Sequence, residues 1–110
     1  MNKESITFEE SSGNVFADLD IDMPEEMLAK ARIAQLIVQI ITKSHMTQKE
    51  AAELLGLQQP KVSLIMNRRL EGFSLERLIM AMTALDRDVE IRIRKKPRTR
   101  EHAHLNVVYA

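Results

Sequence analysis

Residues 46–67 decide the fold, and they read MTQKEAAELLGLQQPKVSLIMN. Thr47 and Glu50 form the T-x-x-E pattern of a capping box, which marks the start of a helix. Gly56 stands where a chain adopts a left-handed conformation to end such a helix. A second helix is expected to begin near Gln59 and Pro60, because proline is tolerated in a first helical turn. The stretch therefore predicts two short helices joined by a tight turn.

The polar residues of this stretch indicate DNA binding. Two short helices around a glycine turn are the core of a helix-turn-helix, whose second helix enters the major groove. Gln59 can hydrogen-bond to adenine, Lys61 can reach guanine, and Pro60 offers apolar surface to a thymine methyl. Gln48 opens the first helix and is a candidate phosphate donor. Further candidates for contacts with the DNA backbone are Ser63, Asn67, Arg68 and Arg69.

An ordinary pair of packed helices with a polar outer face is the alternative interpretation. The capping box and the glycine are weak signals when each is taken alone. Here they occur in register with a small Ala51, with inward-facing Val62 and Ile65, and with a polar start to the second helix. This combination favours the DNA-binding interpretation.

The flanking sequence predicts two more helices and a mainly α fold. The first runs from about Pro24 to Lys43, with Asp22 as its cap, and it is apolar on more than one face. One face is expected to meet the core and another to meet a partner chain. The last helix follows Ser74 as its cap and continues to Leu85 with one apolar face.

After the last helix, the apolar period changes to two. Val89, Ile91 and Ile93 alternate with charged residues, which predicts a half-buried β-strand, and residues 105–109 predict a second short strand. A lone strand leaves its backbone edge unpaired. It is therefore expected to pair with residues 105–109, across a symmetric homodimer, or in both ways. We divide the chain into a flexible arm (1–14), a domain (15–96) and an extension (97–110).

The composition restricts the class of protein. A chain of 110 residues suggests one domain with a modest core. It has no cysteine, which fits a reducing cytoplasm, and no apolar run of the roughly 20 residues that cross a bilayer. Its start lacks a signal pattern. We expect a cytoplasmic protein without metal or cofactor, and not an enzyme, since no nucleophile–base pair, phosphate loop or carboxylate dyad stands out.

Residues 47–67 resemble the helix-turn-helix of the XRE (Cro/repressor-like) family. The stretches SSGNVFADL (11–19), GFSLERLIMAMTAL (72–85) and DVEIRIR (88–94) extend the likeness to HigA-like antitoxins and their regulator relatives. The resemblance implies a helical bundle with the motif as its second and third helices. It places the recognition-helix contacts on Gln58, Gln59, Pro60, Lys61 and Ser63, with Gln48 and Asn67 as the flanking family positions.

The resemblance also implies partners. Such proteins bind palindromic operators as homodimers and repress their own operon. In the antitoxin branch they neutralise a small basic mRNA-cleaving toxin of the RelE/HigB type, and the alternative is a repressor that has no toxin partner.

The distribution of charge bears on the choice between an antitoxin and a repressor without a toxin partner. The net charge is zero, but residues 1–45 hold four basic and eight acidic side chains. Acidic and apolar groups could cover a basic toxin surface, or acidic residues could simply favour a helix N-terminus. The candidate partner-binding residues are Val15, Phe16, Asp18, Leu19 and Asp20. The basic run in residues 92–100 is interpreted equally well as a phosphate contact or as a solvated strand edge.

Overall fold

The computed structural model describes residues 24–109, which form four helices. They are α1 (Pro24–Lys43), α2 (Gln48–Leu55), α3 (Gln59–Met66) and α4 (Leu75–Ala84). All four agree with the helices predicted from the sequence, so the chain is mainly α. Asp22, the predicted cap of α1, lies outside the described residues. None of the four helices is long and apolar enough to cross a membrane.

Residues 30–90 form one compact unit, and residues 24–29 and 91–109 belong to a second. In the first unit, α2 packs against both α3 and α4. The largest fully buried side chains are Ile37, Ile41, Val62, Ile65 and Leu78. The inward orientation predicted for residues 62 and 65 is therefore confirmed.

The buried positions of α1 lie on a single broad face of the helix. They are Ala29, Ile33, Ala34, Leu36, Ile37, Ile40 and Ile41. Met27, two turns before buried Ala34, lies at the edge of this face and is 39% exposed. Within residues 24–109, one face of α1 is buried, and a partner for the other face stays a prediction.

The four helices end in the same way. Each is followed by a residue with a left-handed backbone, and the next residue donates its N–H to a carbonyl five positions back. The left-handed residues are His45 (φ 57°), Gly56 (φ 69°), Arg68 (φ 61°) and Asp86 (φ 63°). The closing bonds are Met46 N to Ile41 O (3.2 Å), Leu57 N to Ala52 O (3.0 Å), Arg69 N to Leu64 O (2.8 Å) and Arg87 N to Met82 O (3.0 Å).

The predicted C-terminal strands are wrong for the single chain. Residues 24–109 contain no β-strand, and the hairpin expected between residues 89–94 and 105–109 is absent. Ile91 and Ile93 are 73% and 90% exposed, so their alternation buries no face. The physical reason is that alternation determines only which side chains share a face, whereas a strand also needs a pairing edge. Residue 105 instead donates its backbone N–H to Glu25 Oε1 at 3.0 Å.

Candidate nucleic-acid interface

A complete capping box sets the start of α2. The Oγ1 of Thr47 accepts the backbone N–H of Glu50 at 3.0 Å, and the Glu50 Oε1 accepts the Thr47 N–H at 2.8 Å. This confirms the predicted T-x-x-E start and makes Gln48 the first residue of the helix, where it is half-buried. Ala51 and Ala52 are buried, and their small side chains fit the close packing of α2.

A three-residue turn leads from α2 to α3. Gly56 adopts φ 69° and ψ 31°, and its N–H donates to the carbonyl of Ala52. A Cβ at position 56 would meet no atom within 4 Å, so a larger residue would not clash there. Glycine is favoured at this position because of its left-handed backbone. Leu57 is half-buried, and Gln58 is extended at φ −74° and ψ 149°.

The N-terminal end of α3 is open to a partner. Gln58 occupies the cap position, yet its side chain makes no capping hydrogen bond. The N–H of Lys61 donates instead to the backbone carbonyl of Gln58 at 2.9 Å. Gln58, Gln59, Pro60 and Lys61 are all exposed, and the first turn of α3 holds no acidic residue. The structure thus presents four consecutive predicted contact residues at one helix end.

The other end of α3 uses two predicted contact residues for its own structure. Asn67 Nδ2 donates to the Ser63 carbonyl at 2.9 Å and to Ser63 Oγ at 3.5 Å. Asn67 is exposed and Ser63 is half-buried. The Asn67 amide is therefore engaged, through its nitrogen, inside the helix end. Arg68 and Arg69 follow, and both are exposed.

Positive charge is concentrated along this segment even though the whole chain is neutral. Residues 58–70 contain Lys61, Arg68 and Arg69 and no acidic side chain. The local balance is therefore +3 within the helix and turn that carry most of the contact candidates. Such a segment attracts phosphate, whereas the formal charge of the whole chain gives no such indication.

Phe73 is a residue of the site that sequence reasoning missed. Phe73 is 4% exposed, and the ammonium of Lys61 lies over its ring at 5.5 Å from the centroid. A Cβ added to Gly72 would lie 3.9 Å from the same ammonium. The side chain of Lys61 therefore rests against the turn before α4. A cation over a ring at an exposed site is stabilised by about 0.5–1 kcal/mol, so the position of this charge is restrained.

The structure describes only one of the two sets of predicted site residues. The DNA-contact candidates lie between residues 48 and 69, on α2, α3 and the turns next to them. The partner-binding candidates, Val15, Phe16, Asp18, Leu19 and Asp20, lie outside the described residues.

Comparison with known proteins identifies a family and a similar solved structure. Residues 15–94 match a family described as a helix-turn-helix domain. A solved structure named as a putative XRE family transcriptional regulator is similar with a TM-score of 0.76 and 50% sequence identity. The similarity covers 78% of this chain and 97% of that one. Among proteins with curated descriptions, none matches.

Proposed function

This chain belongs to the XRE family of helix-turn-helix transcriptional regulators, and from that premise we propose that it is a repressor that reads DNA with the start of α3. The observation that carries the proposal is the exposed run of residues 58–61. The side chain of Gln58, at the N-cap position of α3, makes no capping hydrogen bond, and the first turn of α3 holds no carboxylate. Such a helix end can approach the edges of base pairs without repelling phosphate.

The residue types fit readout in the major groove. A glutamine amide donates and accepts together, which matches the N6 and N7 atoms of adenine, so Gln59 is assigned to an adenine. The ammonium of Lys61 matches the O6 and N7 acceptors of guanine. Pro60 lacks a backbone donor and offers its ring to a thymine methyl. Gln58 flanks these residues and completes the reading surface.

A second group of residues is assigned to the DNA backbone. Arg68 and Arg69 supply charge directly after α3, and Gln48 supplies an amide at the start of α2. Ser63 and Asn67 are expected to contribute weakly, because they already bond to each other. Phosphate contacts determine the register of a protein on DNA and do not read the sequence.

The arginines should therefore determine salt dependence rather than specificity. An Arg68→Ala, Arg69→Ala variant is expected to reduce the slope of log K against log salt by about 0.9 for each phosphate that is no longer neutralised. Its preference for the operator over random DNA should stay unchanged. Fluorescence anisotropy over a salt series measures both quantities. Arg77→Ala, on the exposed surface of α4, is the control for the removal of charge, and an equal fall in its slope would contradict the assignment.

Gln58 allows stability and binding to be separated. A Gln58→Ser variant gains a side chain that can cap α3, and its free energy of unfolding should rise by about 1 kcal/mol. The same change removes an amide from the reading surface, so operator affinity should fall. Urea unfolding and anisotropy measure the two effects. A variant that gains stability and keeps full affinity would show that residue 58 does not face the DNA.

We propose further that the protein acts as a homodimer on a palindromic operator. The two copies of α3 would then lie about 34 Å apart, one turn of DNA. Selection from a pool of random duplexes tests this proposal and the function together. The expected product is one sequence with inverted half-sites about 10 base pairs apart. Recovery of unrelated sequences would contradict sequence-specific repression.

We also propose that the protein is the autoregulating antitoxin of a RelE/HigB-like toxin. The acidic balance of residues 1–45 supports this choice over a stand-alone repressor. Co-expression with the product of the adjacent gene should yield a stable complex. A Phe16→Ser, Leu19→Ser variant should lose that complex and keep operator binding. If no small basic protein is encoded nearby and none co-purifies, the stand-alone repressor is correct.

A further inference from the structure

Residues 88–94, which read DVEIRIR, have a pattern that is symmetric about Ile91. Apolar side chains stand on both sides of that residue at equal distance, while negative charge on one side is matched by positive charge on the other. We infer that this segment pairs antiparallel with the same segment of a second copy, with Ile91 on the two-fold axis. The inference rests on the proposed homodimer and assigns part of its interface.

The apolar residues of the segment are exposed in the single chain. Val89 is 41%, Ile91 73% and Ile93 90% exposed. In an antiparallel pair, directly opposite residues lie on the same face. Val89 would face Ile93 of the second copy, and Ile91 would face its own equivalent. One face of the ribbon would thus become a continuous apolar row.

The charged residues of the segment are complementary in the same register. Glu90 would face Arg92 of the second copy, and Asp88 would face Arg94, each pair occurring twice because of the symmetry. Opposite charges directly across a pair of strands are favourable, and like charges are unfavourable. The second copy therefore places a side chain of opposite charge across from every charged position of the segment.

The charges select one register among the alternatives. Moving the axis to residue 90 places Glu90 against Glu90, and moving it to residue 92 places Arg92 against Arg92. Moving it further, to residue 89 or 93, sets Asp88 against Glu90 or Arg92 against Arg94. An axis between two residues would mix apolar and charged side chains on each face. Among axes that keep apolar residues opposite apolar residues, only the axis at Ile91 avoids every like-charge pair within residues 88–94.

A second copy of this chain is the occupant that this pattern indicates. A two-fold interface requires one surface that is complementary to itself, and residues 88–94 meet that requirement in both apolar pattern and charge. The absence of a strand from residues 24–109 of the single chain is consistent with this, because the pairing edge is supplied only by the other copy. A two-stranded ribbon is marginal by itself, so we expect measurable but modest self-association.

Exchanging the charges at positions 90 and 92 in the full chain, without DNA, tests the register in which residues 88–94 pair. Glu90→Arg alone and Arg92→Glu alone each create like-charge pairs across the axis. Sedimentation equilibrium should show each variant dimerising at least about tenfold more weakly than the wild type. The double variant, Glu90→Arg with Arg92→Glu, should recover the wild-type constant. An equimolar mixture of the two single variants should form a heterodimer, since its opposing charges are again complementary.

A matched control and a second measurement make the outcome decisive. Glu101→Arg makes the same charge change at a side chain that is 90% exposed outside the segment, and it should dimerise like the wild type. Because the chain has no cysteine, Ile91→Cys should form a disulfide-linked dimer on mild oxidation, whereas Ile93→Cys alone should not.

Three results would overturn the inference: a monomeric wild type, a double variant no better than the single ones, or equal cross-linking at positions 91 and 93. A monomer that still selects one DNA sequence would leave DNA reading in place and remove only this interface.

Discussion

A Gln59→Ala, Lys61→Ala variant is expected to lose sequence-specific DNA binding while it keeps the wild-type fold. Both side chains are exposed in the first turn of α3, so truncation leaves no cavity in the core. Removing a base contact costs roughly 1–3 kcal/mol, so the two substitutions together should weaken operator binding by about 30-fold or more. Anisotropy with the selected operator and with a scrambled duplex gives the specificity ratio, which should fall towards unity.

A matched variant removes the same two residue types from another helix. Gln39 and Lys43 are exposed on α1, and Gln39→Ala, Lys43→Ala should keep both affinity and specificity. Loss of the interaction between Lys61 and the ring of Phe73 should lower the stability of the test variant by only about 0.5–1 kcal/mol. A specificity ratio that survives in the test variant would mean that α3 does not read the bases.

An Ile65→Ala variant should show the second large effect, on stability. Ile65 lies on α3 and is 1% exposed, so truncation removes apolar contacts and leaves space behind. Such substitutions cost about 2–5 kcal/mol. The free energy of unfolding of a natural domain is about 5–15 kcal/mol in total, so this variant should lose a large fraction of it. Urea unfolding followed by circular dichroism measures it.

Leu64, which precedes Ile65 on α3, is the control position for this substitution. Leu64 is 39% exposed on the same helix, and Leu64→Ala deletes a similar side chain from the surface. Its cost should stay within about 0.5 kcal/mol. Equal losses at positions 64 and 65 would contradict the packing described for α3.

The sequence predicted the helix starts better than the helix ends. Thr47 and Ser74 cap through their own side chains, so their residue types are direct signals. Of the left-handed residues that follow the helices, only Gly56 could be recognised from the sequence. His45, Arg68 and Asp86 adopt the same left-handed backbone, although such residues rarely do so. At each of these positions the next residue closes the helix end with a backbone hydrogen bond, and residue type alone does not reveal that conformation.

The candidate site shows a similar division. Helical spacing around inward Val62 and Ile65 was enough to predict the exposed start of α3 (59–61), whereas Ser63 is half-buried. The contact between Lys61 and Phe73 joins residues across a helix end and a turn, and no periodic pattern connects them. The prediction of a C-terminal strand failed because residues 88–94 alternate but residues 24–109 supply no strand edge for them to pair with. The assignment of individual residues to bases and phosphates stays a prediction.

Directed cleavage of DNA tests the reading role of α3 most directly. Because the chain has no cysteine, Gln59→Cys and Glu76→Cys each offer a single thiol for an iron chelate that cuts nearby DNA. Residue 76 is exposed on α4 and serves as the reference. The expected result is cleavage confined to a few base pairs in each half-site from position 59, and little from position 76. Strong cleavage from position 76 with none from position 59 would contradict the proposal that α3 lies in the major groove.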